Sequence, residues 1–138
     1  MDMQFGYSQT HVYDMLDRVG AAGRELYMGF LTLDFVFIVV FMFLLALLLT
    51  FLLEKAAVNS RMKILNLLPV IRSGMDAIEN CLLLLVIFNY PVKLPIIVAI
   101  SSMATILKWV SLVAILALIV ILMIRIAWKA ILPQKTIG

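Results

Sequence analysis

Residues 73–80, with the sequence SGMDAIEN, bring two carboxylates and an amide into one short stretch of the chain. Asp76, Glu79 and Asn80 are spaced i, i+3 and i+4, so on a helix they share one face. Arg72 lies four residues before Asp76 and extends the same face. The apolar run CLLLLVIF follows at once. The spacing therefore predicts a stripe of ionisable side chains beside a segment that suits hydrocarbon.

These side chains have the types that acid–base chemistry needs. Ionisable groups at membrane depth cost roughly 2.5–3.5 kcal/mol each to insert, so their presence indicates either an ion-pair partner or a functional role. Of two neighbouring carboxylates one can hold a proton while the other stays ionised, and an ammonium group can stabilise a developing anion. We assign Asp76, Glu79 and Lys108 as candidate catalytic residues. The alternatives are a structural Asp76–Lys108 ion pair that fixes the helix register and an interhelical hydrogen bond from Asn80.

Composition places these residues in a membrane protein. Of the 138 residues, 65% are hydrophobic and 14% are charged, and the mean hydropathy is +1.16. Soluble domains are about 45–50% apolar and about 25% charged. The net charge of +3 does not come from a basic cluster, so we expect no nucleic-acid partner. The sequence contains one histidine, His11, and one cysteine, Cys81. We therefore expect no metal site, no cofactor and no intrachain disulfide.

Four helical segments account for most of the chain, which predicts an all-α integral membrane protein. Residues 1–25 are expected to form an interfacial segment, with a short amphipathic helix at 8–20 and a bend marked by Gly20 and Gly23. Residues 26–138 are expected to form a small bundle of three long transmembrane helices. The predicted crossings are about 26–53, 64–88 and 96–130. The phenylalanines between residues 35 and 43 are interpreted as lipid-facing or core residues.

Two of the predicted helices contain possible interruptions. Pro69 and Gly74 predict a kink or break in the second helix. The third has neither Gly nor Pro and is expected to be continuous, with a break near residues 108–111 as the alternative.

Basic residues near the helix ends predict the orientation of the bundle. The 54–63 loop and the C-terminal end carry Lys55, Arg61, Lys63, Arg125, Lys129 and Lys135. The other end carries only Arg18, Arg24 and Lys93, mixed with acids. We therefore expect the N-terminus outside and the C-terminus in the cytoplasm, in a plasma (inner) membrane. Residues 1–25 lack the basic start and short apolar core of a secretory signal, so we expect the first hydrophobic helix to stay in the mature protein.

Counting residues inward from the predicted outer side aligns the three helices by depth. Asp76 and Lys108 each lie thirteen residues from the connection at 89–95, and Asp34 lies twelve residues into the first helix if that helix starts near Ala22. These three side chains should therefore form one polar layer, unless Asp34 is solvated at the headgroup level. The residues that we expect to bind a ligand there are Asp34, Arg72, Asn80, Ser101, Thr105, Tyr27 and Arg24.

The charges of this layer do not balance. Two cations face the three carboxylates of Asp34, Asp76 and Glu79, unless Arg24 also reaches in. A buried carboxylate without a partner takes up a proton. We therefore expect either a protonated Glu79 or Asp76 at neutral pH, or a bound cation or cationic headgroup.

Three functions are compatible with such a layer. It could bind the polar end of a lipid-like or amphipathic small molecule, with or without acid–base chemistry. The protein could instead be an accessory subunit of a larger membrane complex, or form a proton or ion pathway as a homo-oligomer, since three helices cannot enclose a pore. Membrane lipids are expected partners in each case. The motifs GxSxG and HExxH and the phosphate-binding Gly-rich loop are absent, so the sequence names no reaction.

Overall fold

A computed structural model describes residues 7–131 of the protein. Within this range the chain is helical, with short turns between the helices. The elements are α1 (Gln9–Lys55), a 3-10 helix (Ser60–Leu67), α2 (Leu68–Phe88) and α3 (Pro95–Ile131). The all-α class predicted from the sequence is confirmed, and α2 packs against both of the longer helices.

Two of the described helices, α1 and α3, are long and apolar enough to cross a membrane. Their most apolar windows have mean hydropathies of 3.2 and 2.9. Helix α2 has 21 residues. It is less apolar because Arg72, Asp76 and Glu79 all fall within it. A crossing by α2 therefore stays a prediction.

A single glycine bends α1 near its N-terminal end. Gly20 has φ +66° and ψ −171°, a conformation that is essentially confined to glycine. Ser8 caps the start of the helix, where its hydroxyl accepts a hydrogen bond from the His11 backbone N–H at 3.2 Å. The predicted bend is confirmed. The segments predicted as separate helices, 8–20 and 26–53, lie within α1 on either side of this kink, and the helix resumes directly after Gly20, so that Gly23 is helical.

The N-terminal part of α1 packs on the end of the bundle where α2 connects to α3. Val12, Tyr13 and Leu16 are buried there, in one apolar cluster with residues of α2 and α3. The Tyr13 hydroxyl accepts a hydrogen bond from the Leu94 backbone N–H at 2.7 Å and donates one to the Val92 carbonyl at 3.3 Å. These contacts hold the segment against the 89–95 connection.

At the opposite end of the bundle, the C-terminal end of α1 packs against α3. Leu49, Leu53 and Leu122 form an apolar cluster with Ala56. The Lys129 ammonium donates a hydrogen bond to the Ala56 carbonyl at 2.9 Å. The end of α3 and the connection after α1 therefore lie together, as the three-helix arrangement requires.

Helix α2 begins four residues later than predicted. Residues 60–67 form the 3-10 helix, and Pro69 lies in the first turn of α2. A backbone N–H at that position has no acceptor within the helix, so proline, which lacks this N–H, is tolerated there without a kink. The helix also continues through Gly74, and the expected interruption is not observed.

Helix α3 is continuous over 37 residues, which confirms the main prediction for this segment. At 1.5 Å per residue it is about 55 Å long. The alternative of a break near residues 108–111 is wrong. One continuous helix therefore connects Ser101, Thr105 and Lys108 to the far end of the bundle.

The bend gives a direct test of the fold. Gly20→Ala should lower the free energy of unfolding by about 1–3 kcal/mol, because a Cβ makes this φ, ψ pair strained. Gly29→Ala is the matched control, since Gly29 is helical and a Cβ there meets nothing within 4 Å. The control should be unchanged or more stable by roughly 0.5–1 kcal/mol. Unfolding of both variants in micelles, followed by circular dichroism, measures the difference, and equal stabilities would contradict the assignment.

Candidate functional site

Lys108 lies between two carboxylates in the interior of the bundle. Its Nζ atom is 2.9 Å from Asp76 Oδ1 and 2.8 Å from Glu79 Oε2. Lys108 is 4% exposed and Glu79 is fully buried. Asp76 and Glu79 lie one turn apart on α2, so one ammonium group from α3 reaches both. The depth alignment predicted for Asp76 and Lys108 agrees with this contact.

Arg72 completes the charged group on the opposite side of Asp76. Its guanidinium lies 3.6 Å from Asp76 Oδ2, one helical turn away. The same guanidinium stacks on the Phe41 ring, with 4.9 Å between Cζ and the ring centroid. Asp76 therefore has a cation on each side, and one of those cations rests on an aromatic ring of α1.

A chain of hydroxyl groups leads from Glu79 toward the N-terminal segment. The Thr105 hydroxyl lies 2.6 Å from Glu79 Oε1 and 3.0 Å from the Ser101 carbonyl, and it can donate to either. The Ser101 hydroxyl is 2.5 Å from the Tyr7 hydroxyl. The Tyr7 backbone N–H donates to the Ser102 hydroxyl at 3.0 Å. Burial raises the pKa of the Tyr7 phenol, so this group keeps its proton at neutral pH.

Asn80 links the polar layer to α1. Its amide donates a hydrogen bond of 2.8 Å to Asp34 Oδ2. Asn80 is fully buried, whereas Asp34 is only half-buried. The three helices therefore meet at one level through polar contacts, and the Asp34 side is the more accessible one.

A cavity of about 210 Å³ lies beside this layer. Asp34, Arg72, Asp76 and Lys108 supply its charged lining. The remaining lining residues are Phe37, Ile38, Phe41, Trp109 and Leu112. Phe37 is 70% exposed, so the apolar side of the cavity reaches the outer surface between α1 and α3. The cavity thus combines a charged inner wall with an aromatic and aliphatic entrance.

The predicted site residues divide into groups with different positions. Four of them line the cavity, as given above. Four others lie fully buried behind it: Glu79, Asn80, Ser101 and Thr105. Tyr27 is half-buried and packs beside the apolar cluster around Val12. The residues that could touch a ligand are therefore fewer than those that hold the layer together.

Arg24 is not brought into the polar layer. It donates a hydrogen bond to the Leu16 carbonyl at 2.9 Å, and its guanidinium stacks on the Tyr90 ring at 4.2 Å. The Tyr90 hydroxyl in turn donates to Asp17, and this hydrogen bond raises the pKa of the phenol. Arg24 therefore stabilises the bend of α1 and does not supply the missing positive charge.

Four residues of this region are not predicted from the sequence. Tyr7 precedes the predicted amphipathic helix, and no spacing connects it to a helix about ninety residues later. Phe37, Phe41 and Trp109 were not assigned to a site, because aromatic residues in an apolar helix have no distinguishing pattern. The proximity of Phe37 and Phe41 to Asp34, at i+3 and i+7, is the one signal that could have identified them.

Comparison with protein-family models, with curated protein sequences and with solved structures finds no match for this chain. Its function is therefore argued from the site itself.

The buried ammonium group can be tested by substitution. Lys108→Met should lower the free energy of unfolding by roughly 3–5 kcal/mol, because it leaves two buried carboxylates with one cation fewer. Lys93→Met, at an exposed position, is the control and should change it by less than about 0.5 kcal/mol. Adding Glu79→Gln to Lys108→Met should recover part of the loss, since it removes one of the two charges. Unfolding in mixed micelles measures all three, and equal effects of the two lysine substitutions would show that Lys108 is not a buried partner.

Proposed function

We propose that the protein binds the polar end of a lipid-like or other amphipathic small molecule in the cavity lined by Asp34, Arg72, Asp76 and Lys108. The observation that carries this proposal is the composition of the cavity wall. Charged groups lie at its inner side, and apolar and aromatic side chains lie at its outer side. An amphipathic molecule has the same division between headgroup and tail.

The proposed setting is a membrane crossed three times by α1, α2 and α3. The apolar surfaces of α1 and α3 support it, because most residues in their apolar windows are exposed: only 28% and 11% of them are buried within the protein. Helix α2 lies against both, and its ionisable side chains face partners on its neighbours. From the distribution of basic residues, the N-terminus is proposed to lie outside and the C-terminus in the cytoplasm.

Acid–base chemistry on the bound molecule is part of the same proposal. Asp76 and Lys108 line the cavity and are the groups that could exchange a proton with a ligand. Glu79 lies one turn further along α2 and contacts Lys108 and Thr105. Its role in this proposal is to hold the ammonium group in position, in place of the catalytic role assigned from the sequence.

A proton pathway is the second candidate function. It is favoured by a series of polar groups: the Tyr7 hydroxyl interacts with the hydroxyls of Ser101 and Thr105, Thr105 donates to Glu79, and Glu79 contacts Lys108. Hydroxyl groups in such a series can pass protons toward a buried carboxylate. Conduction across the whole membrane would require a homo-oligomer.

Filling the cavity tests the binding proposal. Leu112 lines the cavity, and Leu116 lies one turn further along α3 with 51% of its surface exposed. With added lysophosphatidylcholine as the probe, the wild-type protein should retain one molecule per chain in native mass spectrometry. Leu112→Trp should weaken this retention by about tenfold, because the indole occupies the cavity. Leu116→Trp should retain the probe as the wild type does, and equal retention by all three proteins would contradict the proposal.

A further inference from the structure

The charges of the polar layer cancel, except for that of one carboxylate. Lys108 contacts Asp76 and Glu79, and Arg72 contacts Asp76. These two cations and two carboxylates sum to zero. Asp34 remains, and within residues 7–131 no Lys or Arg nitrogen lies within 4 Å of its carboxylate. The single negative charge that the sequence left unbalanced is therefore located on Asp34.

Asp34 is also the carboxylate that a ligand can reach most easily. It lines the cavity and is half-buried, and its described contact is the neutral amide of Asn80. A carboxylate oxygen accepts more than one hydrogen bond, so Asp34 retains capacity for a donor from the cavity. Asn80 fixes the orientation of the group without neutralising it.

The aromatic side chains of the cavity also favour a positively charged ligand group. Phe37 lies one turn after Asp34 on α1, Phe41 follows it, and Trp109 lines the cavity from α3. Cations are attracted to the faces of aromatic rings, most strongly when both are desolvated. The Arg72 guanidinium already stacks on Phe41, which shows that a cation is accommodated in this cavity. Bound anions would lie near Asp34 and compete with Asp76 and Glu79 for Arg72 and Lys108.

The size of the cavity limits what enters it. Sites for drug-sized molecules have volumes of about 300–1,000 Å³. A cavity of about 210 Å³ fits a compact headgroup. The tail must then lie outside, along the exposed apolar surface that includes Leu33 and Phe37.

We infer that the ligand is a cationic amphiphile, a lipid-like molecule with an ammonium or quaternary ammonium headgroup, and that Asp34 is the residue that binds this headgroup. This inference rests on the proposed function of the cavity. It adds the charge of the ligand and the side chain that recognises it.

Trp109 provides the measurement, because it lines the cavity and the chain has one other tryptophan, Trp128. In a Trp128→Phe background, the fluorescence of Trp109 is followed in dodecyl maltoside micelles. Dodecyltrimethylammonium and dodecyl sulfate are added as probes with the same alkyl chain and opposite headgroup charge. The cationic probe should change the emission saturably, and the anionic probe should need a mole fraction about tenfold higher.

Three substitutions test whether the Asp34 carboxylate causes the preference for the cationic probe. Asp34→Asn keeps the hydrogen bond with Asn80 and removes the charge, so half-saturation by the cationic probe should shift to a mole fraction about tenfold higher. Asp34→Glu keeps the charge and should retain the preference. Glu25→Gln removes an exposed carboxylate from the same helix and should have no effect.

The outcomes separate this inference from the proposed function. Equal responses to the two probes, or a preference that survives in Asp34→Asn, would overturn the cationic selectivity while leaving a binding cavity. Absence of any response of Trp109 to both probes, together with no retention of lysophosphatidylcholine, would overturn the binding function as well.

Discussion

The buried ammonium group of Lys108 is the constraint on which the rest of the interior depends. In apolar surroundings an unpaired charge is strongly destabilising, so the ammonium and its two carboxylates must stay together. Asp76 and Glu79 come from α2 and Lys108 from α3, and their contact therefore fixes the register of these two helices. The neighbouring Asn80 then sets the position of α1 through Asp34. One set of polar contacts thus determines how all three helices are aligned.

The polar layer has a closed side and an open side. Toward the interior, Glu79 and Thr105 are fully buried and bonded to each other. Toward the outer surface, Asp34 lines a cavity with aromatic walls. Glu79 and Thr105 therefore contribute to stability alone, whereas Asp34, Asp76 and Lys108 both hold the helices together and line the cavity. The closed side holds the helices in register, and the open side is the part that a ligand can contact.

Regular helical geometry explains which features could be predicted from the sequence. The spacing of Asp76, Glu79 and Asn80 predicts a shared face, and a short connection makes residue counting a reliable measure of depth in α2 and α3. Contacts made by irregular segments cannot be predicted from residue spacing in this way. Tyr7 precedes the first helix, and its bond to Ser101 depends on how the bend folds the chain back. Arg24 was misplaced for the same reason, since that bend directs it toward Tyr90.

The bend at Gly20 has a consequence for the order of assembly. It folds the N-terminal helix onto the connection between α2 and α3, through hydrogen bonds between residues 73 to 95 positions apart. Three of the four partners, Tyr90, Val92 and Leu94, lie in the connection between α2 and α3, so during synthesis they become available only after the whole of α2 has been made. The N-terminal part of α1 can therefore dock only after the 89–95 connection has been made. A chain interrupted before Val92 would lack both backbone partners of the Tyr13 hydroxyl, and it would lack Val98 from the apolar cluster around Val12 and Leu16.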